Sequence, residues 1–429
     1  MKHFLWFCAL VLPAARALGQ EPRGVEDVFS PGFLLDDRNG DGVIDFVNAR
    51  LELPESPSAA VVAAASELAT RLGFETMAMN LPLTESRQGP VIAIRPGAPA
   101  LAAGEGLVTT MTAEGQDGIL VTGADDEGIR AAAEYLAGRA PYLWNPKGPT
   151  FDTVQEEMKG LLPFEPSAAR VLEVRATTAG LSRILVELEL PSAGDIARAR
   201  SGLQAGLGYE GVARVFARLS AEGRSVEIEV PRKQVAVEAG PVPGRPGAEP
   251  KHDLDLGNLF TPDGLLADSD QNLIADRIDA LVSPGSGYRG VIDLAARLGM
   301  ESAGVSIPIA RLPAEIEDGK EEPTLILVGD HPLSPASGES YGPGEGSIRV
   351  VPRAFGEKTA LVVGGGDAAG VERALRQLAE RFPNVWDRGK DRTTIDDVEM
   401  DLWKFFSGRS PAGQAAIALY KLDRLVGEL

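Results

Sequence analysis

The sequence predicts an α/β protein, built from tandem duplicated α/β modules with mixed sheets that are separated by a small α+β sheet module. Two observations predict this class. Segments with apolar residues at helical spacing alternate with short apolar runs of strand length. A second series of such segments then repeats the first in the same order. The chain has 429 residues, of which 44% are hydrophobic, and this is enough for several domain cores.

Four sequence blocks recur in order and define two copies of one unit, at 28–164 and 259–406. The copies open with VFSPGFLLDDRNGDGVID and LFTPDGLLADSDQNLIAD. LGFET and LGMES follow, and each is followed in turn by a proline, Pro82 or Pro308. The last block is VTGADDEGIRAAAEYLAGRAPYLW in the first copy and VGGGDAAGVERALRQLAERFPNVW in the second. Four ordered matches indicate an internal duplication.

The elements of the two copies are predicted from periodicity and end signals. In the first copy, Ser58 is the expected N-cap of a helix for which Gly73 is the expected C′ residue. Strands and a second helix follow at 76–81, 91–94, 107–112, 118–122 and 126–137. The second copy is predicted to contain a helix, four strands (the first near Val305) and a helix, at 288–298, 305, 325–328, 348–351, 360–363 and 368–382.

A different module, 165–237, lies between the copies. Apolar residues alternate with acids over 184–190 and 226–230, which predicts a sheet with one solvated face, and 195–203 is predicted to be helical. A Pro/Gly linker covers 238–258, and 407–429 is predicted to be one helix. The first copy continues into a strand-rich module whereas the second has only this tail, so we expect that the natural polypeptide is longer or has lost its C-terminal part.

The N-terminus has the features of an export signal over residues 1–19. Lys2 and His3 precede the apolar run FLWFCALVL, and small residues follow, with cleavage expected after Ala17 or Gly19. We therefore expect a periplasmic or secreted protein with no membrane-spanning segment in the mature chain. The single cysteine, Cys8, lies inside the signal, so a mature chain without disulfides would depend on core packing or on metal.

Composition excludes several classes of function. Asp and Glu number 62 against 42 Lys and Arg, for a formal charge of -20, which argues against a nucleic-acid partner. One cysteine and three histidines argue against most zinc and thiol chemistry.

Several single residues are expected to be structural. His252 and His331 are expected to be solvated loop residues. The glycines before Asp367 are interpreted as a turn with an Asp N-cap rather than a nucleotide loop. Trp144 and Trp386 are expected to be core residues that close each copy, with stacking on sugars as the alternative.

The repeat openings carry the main candidate site. Both contain side-chain oxygens at positions 1, 3, 5, 9 and 12 of a twelve-residue loop, DRNGDGVIDFVN or DSDQNLIADRID. Ca²⁺ takes about six to eight oxygen ligands, and this spacing can wrap a loop around one ion. The predicted ligands are Asp37, Asn39, Asp41, Asp45, Asn48, Asp268, Asp270, Asn272, Asp276 and Asp279.

These loops are similar to the calcium loops of dockerins and of thrombospondin type-3 repeats. They depart from an EF-hand at position 12, where Asn48 or Asp279 replaces the bidentate glutamate. Position 6 is Gly42 in the first copy but Leu273 in the second, which is expected to strain the turn. The alternative is an Asx-rich turn without an ion. The role predicted for Ca²⁺ is structural.

The motif GxDxxGxxxAxxxL near the end of each copy resembles non-catalytic α/β domains of secreted bacterial glycosidases and of the periplasmic regulatory subunit of cellulose synthase. The residues that carry the resemblance are Gly123, Asp125, Gly128, Ala132, Leu136, Gly365, Asp367, Gly370, Ala374 and Leu378. The resemblance implies a binding or positioning role toward carbohydrate or another extracytoplasmic protein.

Three functional hypotheses follow from the sequence. The first is an exported, non-catalytic binding or scaffold region with structural calcium loops. The second is the N-terminal, non-catalytic part of a larger secreted hydrolase, a glycosidase or metallopeptidase, with its active site beyond residue 429. The third is a complete enzyme, which converging carboxylates in a cleft between the copies would favour. No catalytic constellation is visible in the spacing of these residues.

Overall fold

The computed structural model confirms the α/β class. It describes residues 23–38, 40, 42–76, 83–84, 89–113, 115–138, 151–208, 214–232, 254–336 and 338–381. The predicted signal, C-terminal helix, Trp144 and Trp386 lie outside these residues, as do His252 and most of the predicted linker and of the predicted strand 76–81. In the described part of the chain, no helix is both long and apolar enough to cross a membrane.

The first copy forms one half of a long mixed sheet. Its elements are β1 (Leu35–Asp36), β2 (Phe46–Val47), β3 (Arg50–Glu52), α1 (Ala59–Phe74), β4 (Val91–Pro96), β5 (Gly106–Ala113), β6 (Gln116–Gly123) and α2 (Asp126–Gly138). Strands β3, β4 and β6 are parallel, and β5 runs antiparallel to β6. Helix α1 begins at the predicted cap, because the Ser58 hydroxyl accepts a hydrogen bond from the Val61 amide at 3.2 Å.

The intervening segment extends this sheet instead of forming a separate one. Its elements are α3 (Phe151–Gly160), β7 (Ala168–Thr177), β8 (Gly180–Glu189), α4 (Asp195–Leu203), β9 (Arg214–Ala221) and β10 (Arg224–Glu229). Strand β7 pairs antiparallel with β5, and the eight strands run in the order β10-β9-β8-β7-β5-β6-β4-β3. The outer edge of β5 has unpaired main-chain groups that a following strand can satisfy, and β7 satisfies them.

The acidic face of β10 is solvated, as the alternation predicts, whereas on β8 Leu185 is buried and Glu187 is half-buried against Arg170. Ion pairs join β9 to the solvated face of β10. Arg214 pairs with Glu229 at 3.0 Å, and Arg218 pairs with Glu227 at 3.4 Å, both across β9 and β10. Opposite charges on neighbouring strands support the pairing register, although pairs this exposed contribute little stability.

The second copy repeats the core of the first with a four-stranded sheet. Its elements are β11 (Leu266–Ala267), β12 (Arg277–Ile278), β13 (Ala280–Pro284), α5 (Gly290–Met300), β14 (Thr324–Val328), β15 (Gly346–Phe355), β16 (Lys358–Gly365) and α6 (Ala368–Arg376). The sheet order β13-β14-β16-β15 matches β3-β4-β6-β5 strand for strand. The strand predicted near Val305 is not formed; this stretch is irregular and contacts the sheet through a bridge between Val282 and Ala310 and a hydrogen bond from the Ser283 hydroxyl to the Arg311 carbonyl.

The two copies pack through α1 and α5, which cross at matching glycines. A Cβ on Gly73 would lie 2.0 Å from the carbonyl oxygen of Ala296, and a Cβ on Gly299 would lie 2.0 Å from that of Thr70. The prediction of Gly73 as a C′ residue is therefore wrong. Gly73 lies inside α1, and its lack of a side chain lets the two helix backbones approach each other.

Each of these helices also buries an arginine in the same way. Arg71 donates to the Ala137 carbonyl at 3.0 Å, and Arg297 donates to the Ala379 carbonyl at 3.1 Å. The guanidinium groups lie 4.5 Å from the ring centroids of Phe29 and Phe260, respectively. Arg71 therefore joins α1 to the end of α2, and Arg297 joins α5 to the π-helical turn Gln377–Arg381 that follows α6. Each arginine also contacts the opening of its own copy, so the two repeats pack in the same way.

Candidate functional site

The two predicted calcium loops occupy equivalent places at the start of each copy. The first connects β1 to β2, and the second connects β11 to β12, and both strand pairs are antiparallel. The register is the same, with Leu35 opposite Val47 in one copy and Leu266 opposite Ile278 in the other. Each loop is thus held at its base by a two-stranded ladder, and its Asp and Asn side chains project from a fixed frame.

The first aspartate of each loop organises the turn through backbone amides. Asp37 Oδ2 accepts from the Gly42 amide at 2.8 Å, and Asp268 Oδ2 accepts from the Leu273 amide at 2.7 Å. These bonds join positions 1 and 6 of the loop in both copies. They fold the chain back on its own aspartate, as Asx turns do.

The aspartate at position 9 closes the loop from the other side. Asp45 Oδ1 accepts from the Arg38 amide at 2.9 Å, and Asp276 Oδ1 accepts from the Ser269 amide at 3.1 Å. The Ser269 hydroxyl also donates to Asp276, and this hydrogen bond is the main cause of a lowered pKa at Asp276. The carboxylate of Asp276 is therefore held in its charged form.

Both loops place positions 4 and 6 in the left-handed region of the backbone. These are Gly40 and Gly42 in the first copy, with φ of 75° and 88°, and Gln271 and Leu273 in the second, with φ of 59° and 75°. A residue with a Cβ is strained there, and Leu273 is 91% exposed, so packing does not compensate for the strain. The strain expected at Leu273 is thus present, and Gln271 shares it.

In the second copy the loop brings three carboxylates together. One oxygen from each of Asp268, Asp270 and Asp276 lies within 4.8 Å of the others, a group that could hold a metal ion. The side-chain oxygen of Asn272 accepts from the Ile274 amide at 2.8 Å. Asp279 is buried and lies 3.7 Å from Arg277, away from the exposed loop. The structure therefore brings together the three carboxylates of Asp268, Asp270 and Asp276, and the Asn272 amide nitrogen donates to Asp270 at 2.9 Å.

In the first copy, Asp37 and Asp45 occupy the positions of Asp268 and Asp276. Asn39 and Asp41 lie outside the described residues. Asn48, at position 12, directs its amide nitrogen to the Phe33 carbonyl at 3.4 Å. Position 12 therefore anchors the loop base in this copy, since its side chain contacts the chain that leads into β1.

A cleft of about 530 Å³ lies between the copies, which sequence spacing did not locate. It is lined by residues of α2 and of the segment between Pro308 and Glu315, including Arg130, Glu134 and Arg311. Arg130 pairs with Glu134 at 3.2 Å and also with Glu315 of the other copy. Burial raises the pKa of Glu134. Both carboxylates converge on Arg130, so the geometry favours an ion-pair tie between the copies over a general acid–base pair.

His331 departs from its predicted solvation and is buried. Its Nε2 lies 2.8 Å from the Ser283 hydroxyl, and its Nδ1 accepts from the Leu333 amide at 3.1 Å. Because Nδ1 is an acceptor, the ring proton is on Nε2, which donates to Ser283; the serine hydroxyl in turn donates to the Arg311 carbonyl at 2.8 Å. A catalytic histidine would have to accept the serine proton, so this pair is structural. Burial lowers the pKa of His331 to about 4, which keeps it neutral.

The interpretation of Asp367 as an N-cap is confirmed. Its carboxylate accepts from the Gly370 amide at 2.8 Å and from the Gly344 amide at 2.9 Å. Asp125 makes the same two bonds in the first copy, with Gly128 and Gly104, at the same distances. The bonds from Gly370 and Gly128 use helix amides that a phosphate would need.

No family model matches the chain, and no significant match was found among curated proteins. The geometry of the loops and of the cleft therefore carries the functional argument.

Proposed function

We propose that the chain is an exported, non-catalytic binding or scaffold protein in which a structural calcium ion fixes the opening of each α/β copy. The observation that carries the proposal is the carboxylate group of Asp268, Asp270 and Asp276. Three like charges this close repel one another, and a divalent cation offsets that repulsion. Oxygen ligands on an exposed loop suit Ca²⁺, whereas zinc and copper prefer nitrogen and sulfur ligands.

The left-handed backbone in the second copy supports the same proposal. The chain accepts strain at Gln271 and Leu273 to keep the turn that the first copy makes with glycines. Binding free energy from a cation is a source that can offset this strain. The proposed role of the calcium ion is to hold β11 against β12. These two strands directly precede β13 of the four-stranded sheet.

Calcium binding is tested by melting the chain after EGTA treatment and again with added Ca²⁺. A ligand at about 100 times its Kd stabilises the folded state by about 2.7 kcal/mol, so a clear rise in Tm is expected. Asp270→Asn should reduce the rise, because it removes charge from the group and keeps the side-chain shape. Asp263→Asn is the matched control, since Asp263 is an exposed acid in the same repeat opening.

An unchanged Tm with Ca²⁺, together with no calcium found by elemental analysis, would contradict the calcium proposal. Equal calcium responses in the Asp270→Asn and Asp263→Asn variants would move the site elsewhere. Export is tested separately by sequencing the N-terminus of protein recovered outside the cytoplasm, and the expected start follows Ala17 or Gly19. An intact signal segment on that protein would contradict the export proposal.

A further inference from the structure

Strand β15 ends the sheet of the second copy, whereas its counterpart β5 has a further strand beside it. In the described part of the chain, β15 pairs with β16 alone, and β5 pairs with both β6 and β7. Gly346 corresponds to Gly106, because each lies opposite the last residue of the neighbouring strand. Residues 346–349 are therefore the counterpart of 106–109, the stretch that β7 covers.

The main-chain groups of Ile348 face the open side of β15. The Gly366 amide donates to the Glu345 carbonyl at 2.9 Å, so residue 345 starts the ladder with a hydrogen-bonded pair. Such pairs alternate along an antiparallel ladder, so Arg349 bonds to β16 and Ile348 faces away from it. In the first copy the counterpart of Ile348 is Val108, which pairs with β7. An added strand can therefore bond to Ile348 as β7 bonds to Val108.

Two side chains on one face of β15 have polar atoms without a partner. Ser347 Oγ and Arg349 Nε are buried and form no hydrogen bond to any described residue, although Arg349 Nη2 donates to the Pro335 carbonyl at 3.4 Å. Buried polar atoms of this kind cost free energy until a partner is present. In the first copy, the Thr109 hydroxyl, at the position of Arg349, donates to the Leu172 carbonyl of β7 at 2.8 Å. A neighbouring strand can thus supply hydrogen-bond partners on this face.

Strand β7 indicates which side chains an added strand needs. In the first copy, Val174 of β7 lies opposite Val108, which is 1% exposed. Its counterpart Ile348 is only partly buried, so an apolar residue is expected opposite it. Glu173 of β7 lies opposite the counterpart of Arg349. Side chains directly opposite each other have Cβ atoms about 5 Å apart, so an acid at this position would pair with the Arg349 guanidinium.

The far half of β15 blocks further pairing. Pro352 has no amide hydrogen, Arg353 lies in the left-handed region with φ of 56°, and the register shifts between Val351 and Phe355. Prolines and irregularities of this kind limit pairing at a sheet edge. The open stretch is therefore 346–351, which is long enough for the four residue pairs that β7 makes with β5.

We propose that residues 346–349 bind an extended segment of another protein as an added antiparallel strand, with an apolar side chain opposite Ile348 and an acidic one opposite Arg349. Main-chain bonds at the edge supply affinity, and the two side-chain positions supply specificity. This site names the partner of the binding or scaffold role proposed above, and it rests on that role but not on the calcium ion. A failure of calcium binding is read from Tm, whereas a failure of this site is read from strand binding.

The two longest described edge strands of a second copy do not meet these requirements. Strand β15 contains no acid, so it supplies no partner for Arg349. On β10, the Val230 amide donates to the Val215 carbonyl at 2.9 Å, so the residues whose main chain faces outward include acids such as Glu227. Pairing of β10 with β15 would then place an acid opposite Ile348.

The first test adds a peptide with the sequence of β7, AARVLEVRAT, to the full chain and follows backbone amide exchange. Bound peptide should slow exchange of the Ile348 amide at least tenfold, because a peptide carbonyl accepts from it. The Arg349 amide, which bonds to β16, is the internal control and should exchange slowly with or without peptide. No slowing at Ile348 at the highest soluble peptide concentration would overturn the proposal. So would an Ile348 amide as slow as that of Arg349 before peptide is added, since the chain itself or a second copy would then cover the edge.

The second test reverses one charge on the peptide. A lysine at the position of Glu173 faces Arg349, so this peptide should bind about fivefold more weakly than the original. A lysine at the position of Thr177, outside the four pairs, is the matched control and should bind no more weakly than the original. General attraction to the chain acts in the other direction, because its formal charge is -20. Equal or tighter binding of the Glu173→Lys peptide would contradict the proposal.

The third test removes one main-chain donor from the peptide. Proline at the position of Val174 lacks the amide that faces Ile348, so this peptide should bind at least tenfold more weakly than the original. Alanine at the same position keeps the amide and is the control for the lost valine side chain. Equal affinities of the proline and alanine peptides would show that the peptide does not add to β15 as a strand.

Discussion

The two copies share the same arrangement of strands and helices and differ in the strands that extend the sheet and in their surface charges. Both have the same strand order, the same helix crossing at a glycine and the same buried arginine. In both, the aspartate before the last helix accepts the same two amide hydrogen bonds. In the first copy the sheet continues through β7 to β10, whereas the sheet of the second ends at β15 among the described residues. The shared features are those that the backbone requires, and the differences lie at loops, edges and surface charges.

The charges on the last helix of each copy illustrate this difference. Arg130 and Glu134 on α2 correspond to Glu372 and Arg376 on α6, so the order of the charges is reversed. Arg130 reaches across the cleft to Glu315, whereas Glu372 accepts from the Arg289 and Gly290 amides at 2.7 and 2.8 Å, at the start of α5. One surface therefore ties the copies together and the other supports a helix within its own copy. This asymmetry places the cleft on one side of the duplicated frame.

The largest effect is expected at the helix crossing. Gly73→Ala and Gly299→Ala would each place a Cβ against a backbone carbonyl of the facing helix, which must then move away. We expect each to lower the free energy of unfolding by about 3 kcal/mol, measured by urea denaturation. Gly160→Ala, where nothing lies within 4 Å, is the control and should change stability by less than about 1 kcal/mol. If only one of the two crossing variants is destabilised, the crossing is not symmetric.

A smaller effect is expected from exchanging the loop residues that differ between the copies. Leu273→Gly should stabilise the second loop by about 1 kcal/mol. Glycine adopts the left-handed backbone conformation without strain, and the exposed Leu273 side chain makes no packing contact that would be lost. Gly42→Leu should destabilise the first loop by a similar amount, since no atom lies near its Cβ position and the cost is in the backbone alone. Denaturation with saturating Ca²⁺ measures both, and changes of the same sign would show that the loops are not equivalent.

The smallest effect is expected at the capping aspartates. Hydrogen bonds from Gly128 and Gly104 lower the pKa of Asp125, and those from Gly370 and Gly344 lower the pKa of Asp367. A lowered pKa stabilises the fold above the unfolded pKa of 3.8, and this contribution is lost as pH falls through the folded pKa. Asp125→Asn and Asp367→Asn should therefore reduce Tm at pH 7 and converge with the unmodified chain in strong acid. A response to only one of the two substitutions would show that the two caps are not equivalent.

Much of the candidate metal site followed from spacing alone. The positions of Asp268, Asp270 and Asp276 in a twelve-residue loop were enough to predict that their carboxylates meet. Spacing could not show that the Asn272 oxygen is taken by the Ile274 amide or that Asp279 lies buried near Arg277. The side-chain contacts within a turn depend on its backbone angles, and residue type does not specify those angles uniquely.

The sequence by itself determined most of the described helices and strands. Helical periodicity, the caps at Ser58 and Asp367, and the matched blocks of the two copies specify elements whose hydrogen bonds connect residues close in the chain. These signals are short-range, so they can be read from neighbouring residues. The α/β class and the duplication followed from them.

Only the tertiary structure decided which surfaces meet. The pairing of β7 with β5, the burial of His331 and the hydrogen bonds that Glu67 and Asp293 accept from amides of the other copy all connect residues far apart in the chain. Gly73 looked like the end of a helix because its partner, the Ala296 carbonyl, comes from the other copy. Burial and pairing depend on how complete elements pack, and the resulting environment sets the charge state of residues such as His331.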